Sequence, residues 1–188
     1  NDPYIFNIET TNKCNMRCIM CQRTTEMTRE LKNMDMTTFT NLIKQITPLS
    51  KQKKQDWRAF VQKNLIQGQE TTENNFYFDI VSQCVTLHGF GEPLLDKFLP
   101  QRVALLSQRN VPTYFSCNPC NIRLKFIEEL FDAGLGYIKF AMDSLNDAQA
   151  RELRGTPADF THSYQNVLQV LDLKKRKQAQ AIIVMTML

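Results

Sequence analysis

The sequence predicts an α/β fold built on parallel strands, either an open sheet or a barrel. Three observations predict it. Short runs rich in Val, Ile, Tyr and Phe alternate with stretches whose apolar residues recur at helical spacing. Several of the short runs stay apolar without alternation, as strands covered by helices on both faces do. Each gap is long enough for a helix, so consecutive strands join through right-handed crossovers and run parallel. With 188 residues, 43% of them apolar, the chain has material for one domain with its own core.

The first strand is expected at Tyr4 to Ile8. Met36, Phe39, Leu42, Ile43 and Ile46 then mark a helix, with Thr37 or Thr38 placed to cap its first turn. Residues 48–79 break the rhythm with a charged insertion, in which Trp57, Phe60, Val61 and Leu65 share one helical face and Gly68 follows. Such an insertion commonly packs outside the domain, and it also suits a lid or a partner surface. The second strand is expected at Ile80 to His88 and the third at Thr113 to Ser116. Leu124, Ile127, Leu130 and Phe131 repeat the helical stripe, and Gly134 supplies a left-handed stop. A fourth strand is expected at Tyr137 to Met142. Tyr164, Val167, Leu168 and Leu171 make the next stripe, closed by a cationic run, Lys174 to Lys177, that suits a helix C-terminus. The last strand is read at Ala181 to Leu188, and a chain stopping on so apolar a strand is expected to be a fragment.

Composition excludes several classes. The net charge is a mild +4, and its two runs, Lys51 to Lys54 and Lys174 to Lys177, lack interleaved aromatics, so they read as solvated helix faces and no nucleic-acid partner is expected. No apolar run approaches the roughly 18 residues of a membrane span, and no leader opens the sequence. Six cysteines, clustered instead of spread, do not look like a disulfide framework and suggest a reducing, cytoplasmic setting.

Three of those cysteines, Cys14, Cys18 and Cys21, fall in TTNKCNMRCIMCQRT. Thiolates two or three residues apart let one tight loop point several sulfurs at one centre. A structural zinc site wants four ligands, which Cys117, Cys120, His88 or His162 would have to complete. Otherwise the centre keeps a coordination position open for chemistry.

The C-x3-C-x2-C spacing resembles the signature of the radical S-adenosylmethionine (radical SAM) enzymes, and four later runs extend the resemblance. HGFGEPLLD, residues 88–96, looks like the family's Gly-Gly-Glu motif with Phe90 where the first glycine usually stands. SCNPC, residues 116–120, occupies the place of Ser-Thr-Asn-Gly, with Cys117 replacing threonine. AMDSL, residues 141–145, resembles Ser-Leu-Asp-Gly with Ala141 for serine, and RELRGTP, residues 151–157, resembles an Arg-Gly element. All follow strands in the order a barrel needs, so they would meet at one mouth. The resemblance implies a partial TIM-like barrel of (β/α)6 type, ending in about the fifth strand, within a core domain spanning 1–188. It is nearest to the branch that often carries an auxiliary-cluster (SPASM) domain.

What the family does gives the residues their expected roles. Cys14, Cys18 and Cys21 would ligate a [4Fe-4S] cluster whose open iron binds S-adenosylmethionine. Gly91 and Glu92 would meet the cofactor's amino group, Ser116 and Asn118 its ribose or carboxylate, Arg154 its carboxylate and Asp143 ribose or substrate. Met20 would lie against the adenine, with the Gln22 backbone at its edge. Reductive cleavage yields a 5′-deoxyadenosyl radical that takes a hydrogen atom from a peptide or small-molecule substrate, and an electron donor such as flavodoxin or ferredoxin is implied. His88 reads as a strand-end histidine satisfied by backbone, and no residue is assigned as a catalytic acid or base. The competing readings are a non-enzymatic zinc or iron-sulfur module and a degenerate barrel that binds cofactor without turnover.

Overall fold

The computed structural model describes residues 7–64 and 84–186. Four parallel strands, β1 (Val85–Thr86), β2 (Thr113–Cys117), β3 (Tyr137–Ala141) and β4 (Ile182–Thr186), lie side by side in chain order. The sheet is open. The expected first strand contributes one parallel bridge, Asn7 to Thr86, where the Ile8 N–H donates to the Thr86 carbonyl at 2.8 Å; residues 1–6 lie outside the described residues, as do 65–83 and 187–188. A sheet whose order repeats the chain order, joined by right-handed crossovers, carries its crossover helices on one face and curves as an arc of a barrel.

Alternation along the strands divides the two faces. Val85, Leu87, Phe115, Cys117, Ile138 and Phe140 point to the helices and form the core with Leu99, Val103, Leu106, Ile127, Leu130, Val170 and Leu173. Each such aliphatic side chain, taken fully from water, contributes about 1.5–3 kcal/mol. Thr86, His88, Tyr114, Ser116 and Lys139 line the opposite, concave face.

Helix α1 (Gln22–Thr25) is a single turn behind the cysteine loop. Helix α2 (Met36–Ile43) is capped not by Thr37 or Thr38 but by Asp35, whose carboxylate accepts the Thr38 N–H at 2.7 Å and the Thr38 hydroxyl at 2.7 Å. A carboxylate three residues upstream reaches that orphan donor, whereas a threonine already in the first turn does not. Helix α3 (Lys51–Asn64) lies in the charged insertion; Trp57 and Phe60 stack at 5.8 Å between ring centroids, while the expected Leu65 and Gly68 lie outside the described residues, and so does the Val61 side chain.

Helix α4 (Leu99–Ser107), not read from the sequence, packs Leu99, Val103 and Leu106 inward, and Pro100 stands in its first turn. Its Arg102 is wholly buried, donating from Nε to the equally buried Asp96 at 2.8 Å, reaching the Met34 carbonyl and lying 4.8 Å from the Phe39 ring centroid. Helix α5 (Leu124–Asp132) follows the expected stripe, and Gly134, at φ +85°, ends it with a left-handed turn. Helix α6 (Asp147–Arg154) was also not anticipated; Asn146 caps it.

Helix α7 (Phe160–Lys177) starts at Asp159, which accepts the His162 N–H at 2.7 Å, and stops at Gln178 in the left-handed region. Its buried face departs from the expectation. Ser163, Asn166, Val167, Val170 and Leu173 face inward, while Tyr164, Leu168 and Leu171 are 45%, 43% and 44% exposed. The helix carries two apolar stripes, and packing selected the one whose Asn166 satisfies the Pro119 carbonyl at 2.9 Å.

Candidate metal and cofactor site

The cysteine loop is held from both sides by backbone. The N–H groups of Arg17 and Ile19 donate at 2.9 Å to the carbonyls of Arg154 and Leu153, which the end of α6 leaves without helical partners. Met16, 2% exposed, anchors the loop against Ala150 and Ala158, and the Arg23 guanidinium closes it on the Met16 carbonyl at 2.6 Å. On the other side the Glu92 N–H donates to the Lys13 carbonyl at 2.8 Å. The loop and the Gly-Glu turn are thereby one unit. Gly91 sits so near the loop that a methyl group there would overlap the Thr11 carbonyl, which is why this position takes no side chain.

The turn after β1 and the end of β2 are joined by one carboxylate. Glu92 is buried and accepts the Leu94 N–H at 3.1 Å and the Asn118 N–H at 2.8 Å. Burial pushes its pKa up to about 7, against the opposing pull of those backbone donors. Asn118 turns its side-chain oxygen to the Cys120 N–H at 2.9 Å, so its amide nitrogen is the free end; that nitrogen is buried without a partner. Arg154, the last residue of α6, pairs with Asp143, lies 3.8 Å from the Cys18 sulfur through one guanidinium nitrogen, and leaves its Nε buried without an acceptor. Asp143 itself holds a left-handed backbone, φ +46°, just past the end of β3.

These groups surround one cleft of about 420 Å³ on the concave face. Of the residues expected from the sequence, Cys14, Cys18, Cys21, Met20, Gly91, Glu92, Ser116, Asn118, Asp143 and Arg154 all line it. Gln22 does not; it is exposed at the start of α1, its carbonyl engaged by the Glu26 N–H at 2.8 Å. The sequence reading passed over Asn7, Thr86, Tyr114 and Lys139, which line the same cleft, and set His88 aside. Strand alternation around Ile138 and Phe140 was the signal that would have put Lys139 on this face.

His88 accepts the Ser116 N–H on Nδ1 at 3.2 Å and packs edge-on to Tyr114. Burial, with the nearby Lys139 cation, pushes its pKa down to about 4, so at neutral pH the ring is uncharged and carries its proton on Nε2.

The six cysteines stand outside any disulfide and are graded in exposure. Cys14, Cys18, Cys21 and Cys120 are half-buried, whereas Cys84 and Cys117 are buried. Burial raises the pKa of Cys14 and Cys18, and Arg154 pulls Cys18 the other way. Burial also carries Cys117 well above an ordinary thiol, which makes it an inert core group. Cys120 hydrogen-bonds the Pro157 carbonyl at 3.3 Å. Among the described residues no three His, Cys, Asp or Glu side chains come together closely enough to hold a single metal ion. Three half-buried thiols on one loop, opening on a cleft that also contains two unpartnered buried donors, do suit a thiolate-held iron-sulfur cluster with a polar, anionic ligand beside it. An unpaired buried donor costs about 1–3 kcal/mol, and a bound acceptor removes that cost.

Residues 8–188 match the family model described as the radical SAM superfamily. A comparison with curated protein sequences finds no match. Among solved structures the chain is similar to BtrN in complex with AdoMet and 2-DOIA, at 16% identity over 81% of this chain and 56% of that one, with a TM-score of 0.50. It is similar to HydG, a maturase of the [FeFe]-hydrogenase, at 7% identity over 95% of this chain and 34% of that one, TM-score 0.56. Methylornithine synthase (PylB) gives 11% identity over 95% of this chain and 42% of that one, TM-score 0.55. At these identities the likeness is one of fold, and the chain spans only 34% to 56% of those structures' lengths.

Proposed function

The chain belongs to the radical SAM superfamily, and on that premise we propose that its cleft binds a [4Fe-4S] cluster and S-adenosylmethionine and acts on a peptide or small-molecule substrate. The observation that carries the reading is the meeting of three free thiols and two unpartnered buried donors on one cleft. Cys14, Cys18 and Cys21 would hold the cluster. When bound, the cluster and S-adenosylmethionine supply hydrogen-atom abstraction through a 5′-deoxyadenosyl radical.

The chain's own residues bind, orient and exclude water. Gly91 and Glu92 present a close backbone edge for the cofactor's amino group. The Asn118 amide and the Arg154 Nε have donors to give to its carboxylate or ribose, with Ser116 beside them. Asp143 fixes the Arg154 guanidinium, so that the arginine meets a ligand already oriented. Met20 offers a polarizable surface to the adenine, with the Gln22 backbone at the ring's edge.

The unit doing this would be the core domain 1–188, interrupted in sequence by the charged insertion at 48–79. By sequence resemblance it sits nearest the auxiliary-cluster branch. An electron donor of flavodoxin or ferredoxin type is the expected partner, and six cysteines outside any disulfide suit a cytoplasmic setting. No helix among the described residues is long and apolar enough to cross a membrane.

Anaerobic reconstitution with iron and sulfide tests the reading. It should yield a reducible cubane signal that changes on adding S-adenosylmethionine, with 5′-deoxyadenosine released after reduction. The Cys18→Ala variant should lose the cluster. Full cofactor cleavage by that variant would overturn the ligand assignment, and an intact cluster with no 5′-deoxyadenosine would mark a barrel that binds without turnover.

A further inference from the structure

The concave face of the sheet carries a cation that no group among the described residues neutralises. Lys139 is the central residue of β3, opposite Ser116 in the β2–β3 register, and it lines the cleft. Among the described residues it has no ion-pair or hydrogen-bond partner. The two carboxylates that share its cleft are occupied, Asp143 by Arg154 and Glu92 by the N–H groups of Leu94 and Asn118. A lysine on a partly covered sheet face without a counter-charge is costly unless water or a ligand supplies one.

A second donor stands beside it. The Ser116 N–H occupies Nδ1 of His88, which leaves that ring with a proton to donate from Nε2. The Lys139 charge is also felt at His88 and helps to keep the ring neutral. A neutral histidine and a lysine together make a donor pair suited to one negatively charged group. Lys139 lies two residues before the last residue of β3, about 7 Å deeper than the strand ends where Asn118 and Arg154 are assigned to the cofactor's amino-acid tail, and level with Ser116, the deepest residue assigned to the cofactor. That depth leaves the pair for the substrate.

Resting on the proposed function above, we infer that the substrate is anionic, and that its carboxylate or phosphate is held on the concave face between Lys139 Nζ and the Nε2–H of His88. These two residues position the substrate and select for charge. They are binding residues, and no proton transfer is assigned to them.

Reductive methylation of the reconstituted protein, followed residue by residue by mass spectrometry, tests this with S-adenosylmethionine present. Succinate and inorganic phosphate serve as probes, neutral succinamide as the control, and Lys51 and Lys53 as exposed reference lysines. Succinate or phosphate should slow methylation of Lys139 saturably, leave the reference lysines unchanged, and be matched in no way by succinamide; whichever anion protects better names the acidic group. His88→Gln should weaken that protection about tenfold, the worth of one hydrogen bond to a charged group. Equal protection by succinamide, or none by either anion, overturns the inference. So does a Lys139→Met variant that binds S-adenosylmethionine more weakly, since the lysine would then belong to the cofactor. Cluster content and 5′-deoxyadenosine, measured on the same samples, separate the two readings. Cofactor cleavage with Lys139 unprotected sinks the anion site alone. A protein that accepts no cluster, yet shows anion protection in its metal-free form, sinks the proposed function and leaves the anion site standing.

Discussion

His88 and Glu92 line the same cleft, and burial displaces them in opposite directions. The histidine falls from 6.5 to about 4, so the native state binds fewer protons than the unfolded chain; its contribution to stability is complete above pH 6.5 and is lost as pH falls towards 4. The glutamate rises from 4.5 to about 7, so the native state binds more protons; its contribution is complete below pH 4.5 and is lost as pH rises towards 7. Each displacement is worth about 3 kcal/mol, and over their shared window the two slopes oppose one another. The urea midpoint of the metal-free protein should therefore stay nearly flat from pH 4.5 to 6.5. In His88→Gln it should fall with rising pH, and in Glu92→Gln it should rise; parallel slopes in the two variants would refute the pairing. At this scale the sequence was legible where chemistry demands local spacing. Cys14, Cys18 and Cys21 declare themselves because one loop must point three sulfurs at one centre. Lys139 does not, because its meaning depends on which carboxylates the fold has already engaged.

Helix α4 (Leu99–Ser107) shows what an element adds beyond its residues. Through Arg102 it ties the turn at Asp96 to the Met34 carbonyl ahead of α2 (Met36–Ile43), with both charged side chains at 0% exposure. Removing one partner leaves the other charge buried and unpaired, so Arg102→Ala should cost about 3–5 kcal/mol in chemical denaturation. The double variant Arg102→Met with Asp96→Leu should recover most of that loss, because the desolvation penalty disappears with the pair. A double variant as unstable as the single one would mean that the Met34 contact and the Phe39 packing matter more than the charges. The helix itself was readable from Leu99, Val103 and Leu106 behind a proline. The buried pair was not, since neither Asp96 nor Arg102 belongs to an apolar stripe. Helix α7 (Phe160–Lys177) fails differently: two stripes compete on one helix, and only the presence of the Pro119 carbonyl decides for the face that carries Asn166.

Across the whole molecule the six cysteines form a map of depth. In the native, metal-free protein, Cys14, Cys18, Cys21 and Cys120 should accept an alkylating reagent, while Cys84 and Cys117 stay protected until the chain unfolds. After reconstitution, protection should extend to Cys14, Cys18 and Cys21 and leave Cys120 reactive. Simultaneous protection of Cys120 would require a fourth thiol at the centre. The parallel α/β plan was legible from the alternation of apolar strands and helical stripes, because right-handed crossovers admit few other arrangements. One consequence of the strand order concerns synthesis. From β1 to β4, neighbours in the sheet are neighbours along the polypeptide, so β2, β3 and β4 each emerge from the ribosome beside a partner already in the open, whereas the cysteine loop must wait for Leu153 and Arg154 to be translated.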